Sequence, residues 1–320
     1  MAMVALRRGL SVSGSDADLS GVTDLVAGGA EVLQDQGTAL VDQAKVVVAS
    51  AAIRQDHPDL VRARGRGLPI VPRKEALAGL IGAAPCVAVA GTHGKTTTTV
   101  MTTEALAGAG LDPTGLAGGR VELWGGNARL GRTDLFVVEA DEYDQAFLTL
   151  RPTVAVVNNV EADHLECYGS VAALEAAFVE FAGRAGTVII GADDPGASRI
   201  AAGIRGPTLW RFGLAEDADL RILQVEQTAE GSSAGVQLPG GRMITLRLGV
   251  PGVHNLRNAT GAIGAALALG APLEPVLAAL ARYRGLGRRF ERLGAAGGIE
   301  FVDDYAPHPT ELVAALAAAD

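Results

Sequence analysis

In "AVAGTHGKTTTTV" (88–100), Lys95 and Thr96 follow a glycine, an order of residue types suited to a polyphosphate. Backbone N–H groups at a helix N-terminus face anionic oxygens, a lysine adds positive charge at the terminal phosphates, and a threonine hydroxyl can join a magnesium shell. The stretch departs from the strict G-x-x-x-x-G-K-[ST] pattern, because Val89 stands where the first glycine would be and Gly91 comes two residues later. "CVAVA" (86–90) ahead of it reads as a strand and the threonines behind it as a helix, the setting such a loop requires. Two acidic stretches, "EADEYD" (139–144) and "EADHLE" (161–166), follow later strand-like runs. Ligands of a parallel sheet gather at C-terminal strand ends, where carboxylates suit magnesium and His164 could complete a second cation site or orient a carboxylate. "NNVEAD", the nearest stretch to a guanine-reading Asn-Lys-x-Asp loop, has no lysine, which disfavours a GTPase switch.

These groups need a scaffold. "AKVVVAS" (44–50), "CVAVA", "LFVVEA" (135–140), "VAVVNNV" (154–160) and "TVIIGA" (187–192) alternate with Ala-rich helical stretches, the pattern of parallel α/β architecture. Residues 220–250 alternate in polarity and are broken by Gly/Ser turns, which predicts a small antiparallel meander appended to the sheet. Two helices follow, in "HNLRNATGAIGAALALG" and "LEPVLAALARYRGLG". At the N-terminus a helix runs into the strand of "LSVSGSD", as in the later pieces of a βαβ unit, and predicts a Rossmann-like domain without its first strand and Gly-rich turn. "GGIEFVDDYAPHPTELVAALAAAD" reads as turn, strand, polar loop and helix, the start of a third Rossmann-like domain. The expected domains are 1–84, 85–293 (a central ATPase-type domain) and 294–320. In the last, "IEFV" is expected to be an unpaired edge and the helix poorly packed, leaving this chain inactive by itself.

With 320 residues and 48% hydrophobic content, the chain is long enough for two or three α/β domains with real cores. A net charge of −9 and the lack of a Lys/Arg block argue against nucleic acid as a partner. Cys86 and Cys167, the two cysteines, form neither a disulfide framework nor a C-x-x-C pair, which fits a reducing compartment and a cytoplasmic protein. Arg7 and Arg8 interrupt the apolar start, and no apolar run reaches the length of a membrane span, so membrane insertion is not expected.

In order along the chain, "GTHGKTTTT", "EADEYD", "NNVEADHLECYG", "GVHNLRNATGAIGAA", "GLGRRFE" and "DDYAPHPTE" resemble the motifs of the Mur ligases of peptidoglycan synthesis. "SGSD" (13–16) and "GLPIVPRKEAL" (67–77) extend the likeness to the N-terminal domain. The resemblance implies an ATP-dependent amide ligase. ATP phosphorylates the lactyl carboxylate of UDP-N-acetylmuramate, and an amine then displaces phosphate from the acyl phosphate. It implies that Lys95 stabilises the transferring γ-phosphoryl group, that Thr96 and Glu139 hold Mg2+ between the β- and γ-phosphates, and that His164 holds a second cation. These residues are expected to act on the transfer and not on folding. Gly91, Thr92, His93, Gly94 and Thr97 would complete the phosphate loop. Adenine would lie against Asn255 and Asn258, three apart on one helix face and preceded by His254, with helix capping as the alternative reading of Asn255. Arg289, Asp304, Tyr305 and His308 would reach the nucleotide. Ser15 and Asp16, with Ser50 and Arg73, are implied for the uridine end of the sugar nucleotide. Gly118, Gly119 and Asn127 would form the muramyl loop, with Glu142 and Asp144 as further substrate contacts.

Family members that add later residues carry a lysine, which becomes carbamylated, downstream of the Asp-His pair. Here that region reads "GSVAALEAAFVEF", with Phe178 as the counterpart. This favours the member that adds L-alanine, or the recycling ligase that attaches a tripeptide to the same sugar nucleotide; "DHLECYG" leans towards the former. Pro307 stands where a histidine is expected. A non-catalytic nucleotide-binding fragment is the alternative from another class.

Overall fold

A computed structural model describes residues 1–319 and divides them into two compact units, Met1–Ala83 and the chain from Ala84 on. The first contains α1 (Ala2–Arg7), β1 (Ser13–Ser15), α2 (Thr23–Ala27), β2 (Glu31–Leu33), α3 (Ala39–Gln43), β3 (Val47–Ala49), α4 (Pro58–Gly65), β4 (Ile70–Pro72) and α5 (Arg73–Ile81). The strands form two parallel pairs, β1 with β2 and β3 with β4. Val4, Leu40, Leu60 and Ala63 are buried between the elements. Ser15, Ser50 and Arg73 all stand at C-terminal strand ends.

The second unit is built on one ten-stranded sheet. Its elements are β5 (Cys86–Ala90), α6 (Lys95–Gly108), β6 (Thr114–Val121), β7 (Gly126–Arg129), β8 (Phe136–Glu139), β9 (Val154–Val157), α7 (Leu165–Tyr168), α8 (Val171–Gly183), β10 (Thr187–Gly191), α9 (Pro195–Ala201), β11 (Thr208–Gly213), β12 (Leu220–Thr228), β13 (Gly231–Gln237), β14 (Met243–Leu248), α10 (Val253–Ala268) and α11 (Leu273–Leu280). The strand order is β14-β13-β12-β11-β10-β9-β5-β8-β6-β7. From β12 across to β6 every pairing is parallel, and the two edges are antiparallel. Every residue of β5 and β9 is buried, as expected of continuous apolar strands covered on both faces. Helices α6, α10 and α11 pack together over one face, where Met101, Leu106, Leu256 and Ile263 meet Val87, Val89 and Ile189 in a single core. In the meander, β14 alternates exposed and buried residues, so that Ile244, Leu246 and Leu248 join this core.

Two segments differ from the sequence reading. Residues 114–129, read in part as a sugar-binding loop, form the β6–β7 hairpin, with Gly118 and Gly119 in one strand and Asn127 in the other. Glycine and polar residues lower strand propensity there, and pairing with β8 overrides it. The expectation of an unpaired "IEFV" edge is corrected: β16 (Ile299–Asp303) pairs antiparallel with β15 (Glu291–Ala296) across the Gly297-Gly298 turn. A boundary at 293 falls inside β15. Beyond the hairpin, α12 (Pro309–Ala319) lies against α10. Among the described residues no helix is long and apolar enough to cross a membrane.

Candidate active site

The phosphate loop is indexed by the sheet. β5 pairs in parallel with β8 and β9, so that Val89 lies opposite Glu139 and Ala90 opposite Val157. Glu139 and the Asn158-Asn159 pair therefore emerge on either side of the loop. Gly94 is the N-cap of α6 with φ of +73°, and a Cβ there would come 2.6 Å from Asn258 Oδ1 and 3.0 Å from Asn158 Nδ2, so glycine is needed for both reasons. His93 N donates to Asn159 Oδ1 at 2.7 Å, and Asn158 Nδ2 donates to His93 O and to Thr98 Oγ1, each at 3.1 Å. Glu161 N donates to Thr92 Oγ1 at 2.8 Å. The loop is thus held from behind, and the first N–H groups of a 14-residue helix face outward for an anion.

One side of the loop is acidic. Lys95 Nζ donates to both oxygens of Glu142 at 2.8 Å, and the Glu142 side chain is 1% exposed. Burial works against the Lys95 ammonium, but the Glu142 carboxylate overrides it and holds Nζ protonated above the usual lysine range. Tyr168 OH donates to Glu142 O at 2.5 Å. Thr96 Oγ1 donates to Glu139 Oε1 at 3.2 Å, while Gly118 N donates to Glu139 Oε2 at 2.6 Å. A Cβ at Gly118 would lie 2.6 Å from Glu139 Oε1, so only glycine leaves room for this carboxylate. Two hard oxygen donors, one anchored by a backbone amide, fit a magnesium ion beside the loop. His164 belongs to a neighbouring set: with Asp141 and Glu142 it offers ligand atoms within 4.8 Å of one another. Its φ of +50° and an edge contact to the Tyr143 ring at 5.2 Å aim the imidazole there. The proposed metal trio thus divides into Thr96–Glu139 and His164 with two acids. Glu142 faces the lysine, and Asp144 sits at φ of +53° in the turn that follows.

The other side opens into a cavity of about 360 Å³ lined by Gly94, Thr97, His254, Asn255, Asn258 and Arg289, among others. Asn255 Nδ2 donates to Pro251 O at 2.7 Å, which stabilises the start of α10 and leaves Oδ1 for a ligand. Burial, reinforced by the Arg257 and Arg289 charges, lowers the His254 imidazole to about 4, so it is neutral at physiological pH. Arg289 Nη1 donates to Tyr305 O at 2.6 Å and to Glu311 Oε1 at 3.2 Å. Asp304 also lines the cavity and accepts from Phe290 N at 2.7 Å. Tyr305 is half exposed, its ring beneath the Arg288 and Arg289 guanidinium groups. His308 stands outside the lining, its ring 4.4 Å from that of His93. Sequence reading did not single out Asp193, whose carboxylate accepts from Leu214 N at 2.8 Å and Arg257 Nε at 2.6 Å at the cavity wall. Its position after β10, beside the other strand ends, was the available signal.

The His254 environment sets a pH dependence. Its folded value lies below the 6.5 of an ordinary histidine, so on acidification the unfolded chain takes up the proton first. Stability should be full above about pH 6.5 and fall as pH drops towards about 4. Denaturant unfolding at about pH 7.5 and about pH 5 should show this loss, and His254→Asn should reduce it. An unchanged loss in the variant would assign it to another group.

In the N-terminal unit, Ser15 Oγ donates to Asp59 Oδ2, Asp16 Oδ1 accepts from Asp18 N at 3.0 Å, and Ser50 Oγ accepts from Ala52 N at 3.4 Å. Phe178 is fully buried, its ring 5.0 Å edge-on from Phe147, which itself stacks on Phe181.

A family profile described as Mur ligase middle domain matches residues 89–266, and another described as Mur ligase family, catalytic domain, matches residues 1–84. The UDP-N-acetylmuramate--L-alanine ligase of Solidesulfovibrio magneticus is 44% identical over 323 residues, covering 100% of this chain and 70% of that protein. The enzyme of the same description from Salinispora arenicola is 44% identical over 322 residues, covering 99% of this chain and 63% of that protein. Among solved structures, a UDP-N-acetylmuramate-alanine ligase from Thermotoga maritima matches with a TM-score of 0.85 at 30% identity, over 99% of this chain and 74% of that one. A UDP-N-acetylmuramate:L-alanyl-gamma-D-glutamyl-meso-diaminopimelate ligase from Neisseria meningitides matches with a TM-score of 0.79 at 28% identity, over 90% of this chain and 94% of that one.

Proposed function

We propose that this chain, which belongs to the Mur ligase family, serves an ATP-dependent ligase that joins L-alanine to the lactyl carboxylate of UDP-N-acetylmuramate. The observation that carries this reading is the α6 phosphate loop with Lys95 charged on one side of it and Glu139 fixed by Thr96 and Gly118. The choice of amino acid rests on the two 44% identical relatives, both L-alanine ligases, and on Phe178, an aromatic core residue where the family resemblance puts a lysine in members that add later residues.

ATP would place its adenosine in the cavity against Asn255 Oδ1 and Asn258, with neutral His254 beside them and Arg289 and Asp304 at the rim. Its phosphates would reach the N–H groups of Gly94 to Thr97. Lys95 then exchanges Glu142 for the γ-phosphoryl group, and its charge offsets the negative charge that develops in transfer. The lactyl carboxylate oxygen attacks phosphorus, ADP leaves, and an acyl phosphate forms. The alanine amine attacks the acyl carbon, expelling inorganic phosphate and losing a proton. Thr96 and Glu139 would hold Mg2+, which when bound would supply positive charge to the phosphates. His164, with Asp141 and Glu142, would hold a second cation nearer the sugar carboxylate. In the N-terminal unit, Ser15, Asp16, Ser50 and Arg73 would take the uridine end, and a cytoplasmic location follows from the ATP supply.

The ligase that this chain serves, supplied with ATP, should release ADP only when UDP-N-acetylmuramate and L-alanine are both present, and GTP should replace ATP poorly. Turnover with the tripeptide in place of free L-alanine would reassign the chain to the recycling ligase. Equal use of GTP would remove the roles given to Asn255 and Asn258.

A further inference from the structure

A second cluster of donors lies on the far side of the loop from Lys95. His93 Nε2 is buried without a hydrogen-bond partner, in a side chain 10% exposed, and stands 3.4 Å from Glu161 Oε1. His308 Nδ1 stands 3.5 Å from the other oxygen of the same carboxylate. One ligand atom from each of these three residues lies within 4.8 Å of the other two. Glu311 adds a fourth side chain and second carboxylate, 3.8 Å from His93 Nδ1. These residues come from the phosphate loop, the segment after β9, and the start of α12. We propose that they form a binding site for a borderline transition-metal cation, Zn2+ in the first instance, which fastens α12 to the phosphate loop.

The distances carry the choice of ion. Two ligands about 2.1 Å from zinc at a tetrahedral angle lie about 3.4 Å apart. The His93–Glu161 and His308–Glu161 separations are 3.4 and 3.5 Å, loose for hydrogen bonds and right for two edges of such a tetrahedron. Two imidazoles and a carboxylate favour zinc over magnesium, which prefers an all-oxygen shell. Outer contacts orient the ligands as metal sites require: Thr310 Oγ1 donates to Glu161 Oε2 at 2.8 Å, and His93 N is fixed by Asn159. Thr310 N donates to His308 Nδ1 at 3.3 Å, which keeps the proton on Nε2, and a cation would take this long contact's place at the Nδ1 lone pair. His93, Glu161, Thr310 and Glu311 also line the nucleotide cavity, while the oxygen donors at Thr96 and Glu139 lie outside this donor set.

The test is equilibrium dialysis of the full chain against Zn2+ with excess Mg2+, followed by metal analysis. About one Zn2+ per chain should be retained, and His93→Ala and His308→Ala should each weaken binding at least ~10-fold, while His164→Ala should not. His308 lies at the head of an outer helix, so that variant separates loss of a ligand from loss of the fold, which circular dichroism checks. Co2+ in place of Zn2+ should give the visible absorption of a tetrahedral site, lost in His308→Ala. Equal Zn2+ affinity in the two variants and the parent, or displacement of Zn2+ by Mg2+ at comparable concentration, would overturn the proposal whether or not the chain has ligase activity.

Discussion

Lys95→Ala should abolish at least ~10²-fold of ligase turnover and should also destabilise the fold by about 3–5 kcal/mol. The first effect follows from losing a preorganised charge at the γ-phosphoryl group. The second follows from Glu142, whose carboxylate is 1% exposed and has both oxygens on Nζ. Removing the lysine leaves a buried anion unpaired, which costs more than the pair contributes when intact. This outcome differs from the expectation that Lys95 acts on transfer and not on folding, because its ion pair with Glu142 is buried. The double variant Lys95→Ala with Glu142→Gln separates the two roles: it should recover most of the lost stability in denaturant unfolding and none of the turnover. Recovery of turnover would remove Lys95 from the phosphoryl transfer. Failure to recover stability would mean that the ion pair does not account for the loss.

Gly118→Ala should give the opposite profile, losing turnover by ~10²-fold, the order expected when a group is displaced by about 1 Å, with little change in stability. The added Cβ would sit 2.6 Å from Glu139 Oε1 and 3.0 Å from Oε2, forcing the carboxylate off both the Gly118 amide and Thr96. The glycine is exposed and in a strand, so no core contact is lost. Gly119→Ala is the matched control, because a Cβ there meets nothing within 4 Å. The variant's turnover should respond to added Mg2+ more steeply than the parent's. Parent-like turnover in Gly118→Ala would show that the position of Glu139 is not limiting.

The parallel strands were legible because both-face burial writes them as unbroken apolar runs: "CVAVA" matches β5 residue for residue. The phosphate loop and the acids at Glu139 and Glu161 were legible because they lie at the ends of such runs. The β6–β7 hairpin was not, since Gly118 and Gly119 interrupt the apolar run, while the pairings that hold the strand, Thr114–Leu116 with β8 and Val121 with Gly126, lie on either side of them. The Lys95–Glu142 pair was equally hidden: residue types do not say which of Glu139, Asp141 and Glu142 folds back on the lysine, and a turn with Asp144 and Gln145 at positive φ decides it. The β15–β16 pairing required a partner strand, "ERLGAA", whose composition carries no alternating signal.

The parallel register at the centre of the sheet sets where this chain tolerates a change of length. Val89 is matched to Glu139 and Ala90 to Val157 by one hydrogen-bond ladder, so the spacing between the loop and its acid does not depend on how many residues α6 or the β6–β7 turn contains. An insertion in the exposed turn around Leu123 leaves that ladder unchanged. One residue added within β8 moves Glu139 by one strand step, about 3.3 Å, and turns its side chain to the opposite face. Length variation among relatives should therefore collect in the connections and stop at the strands.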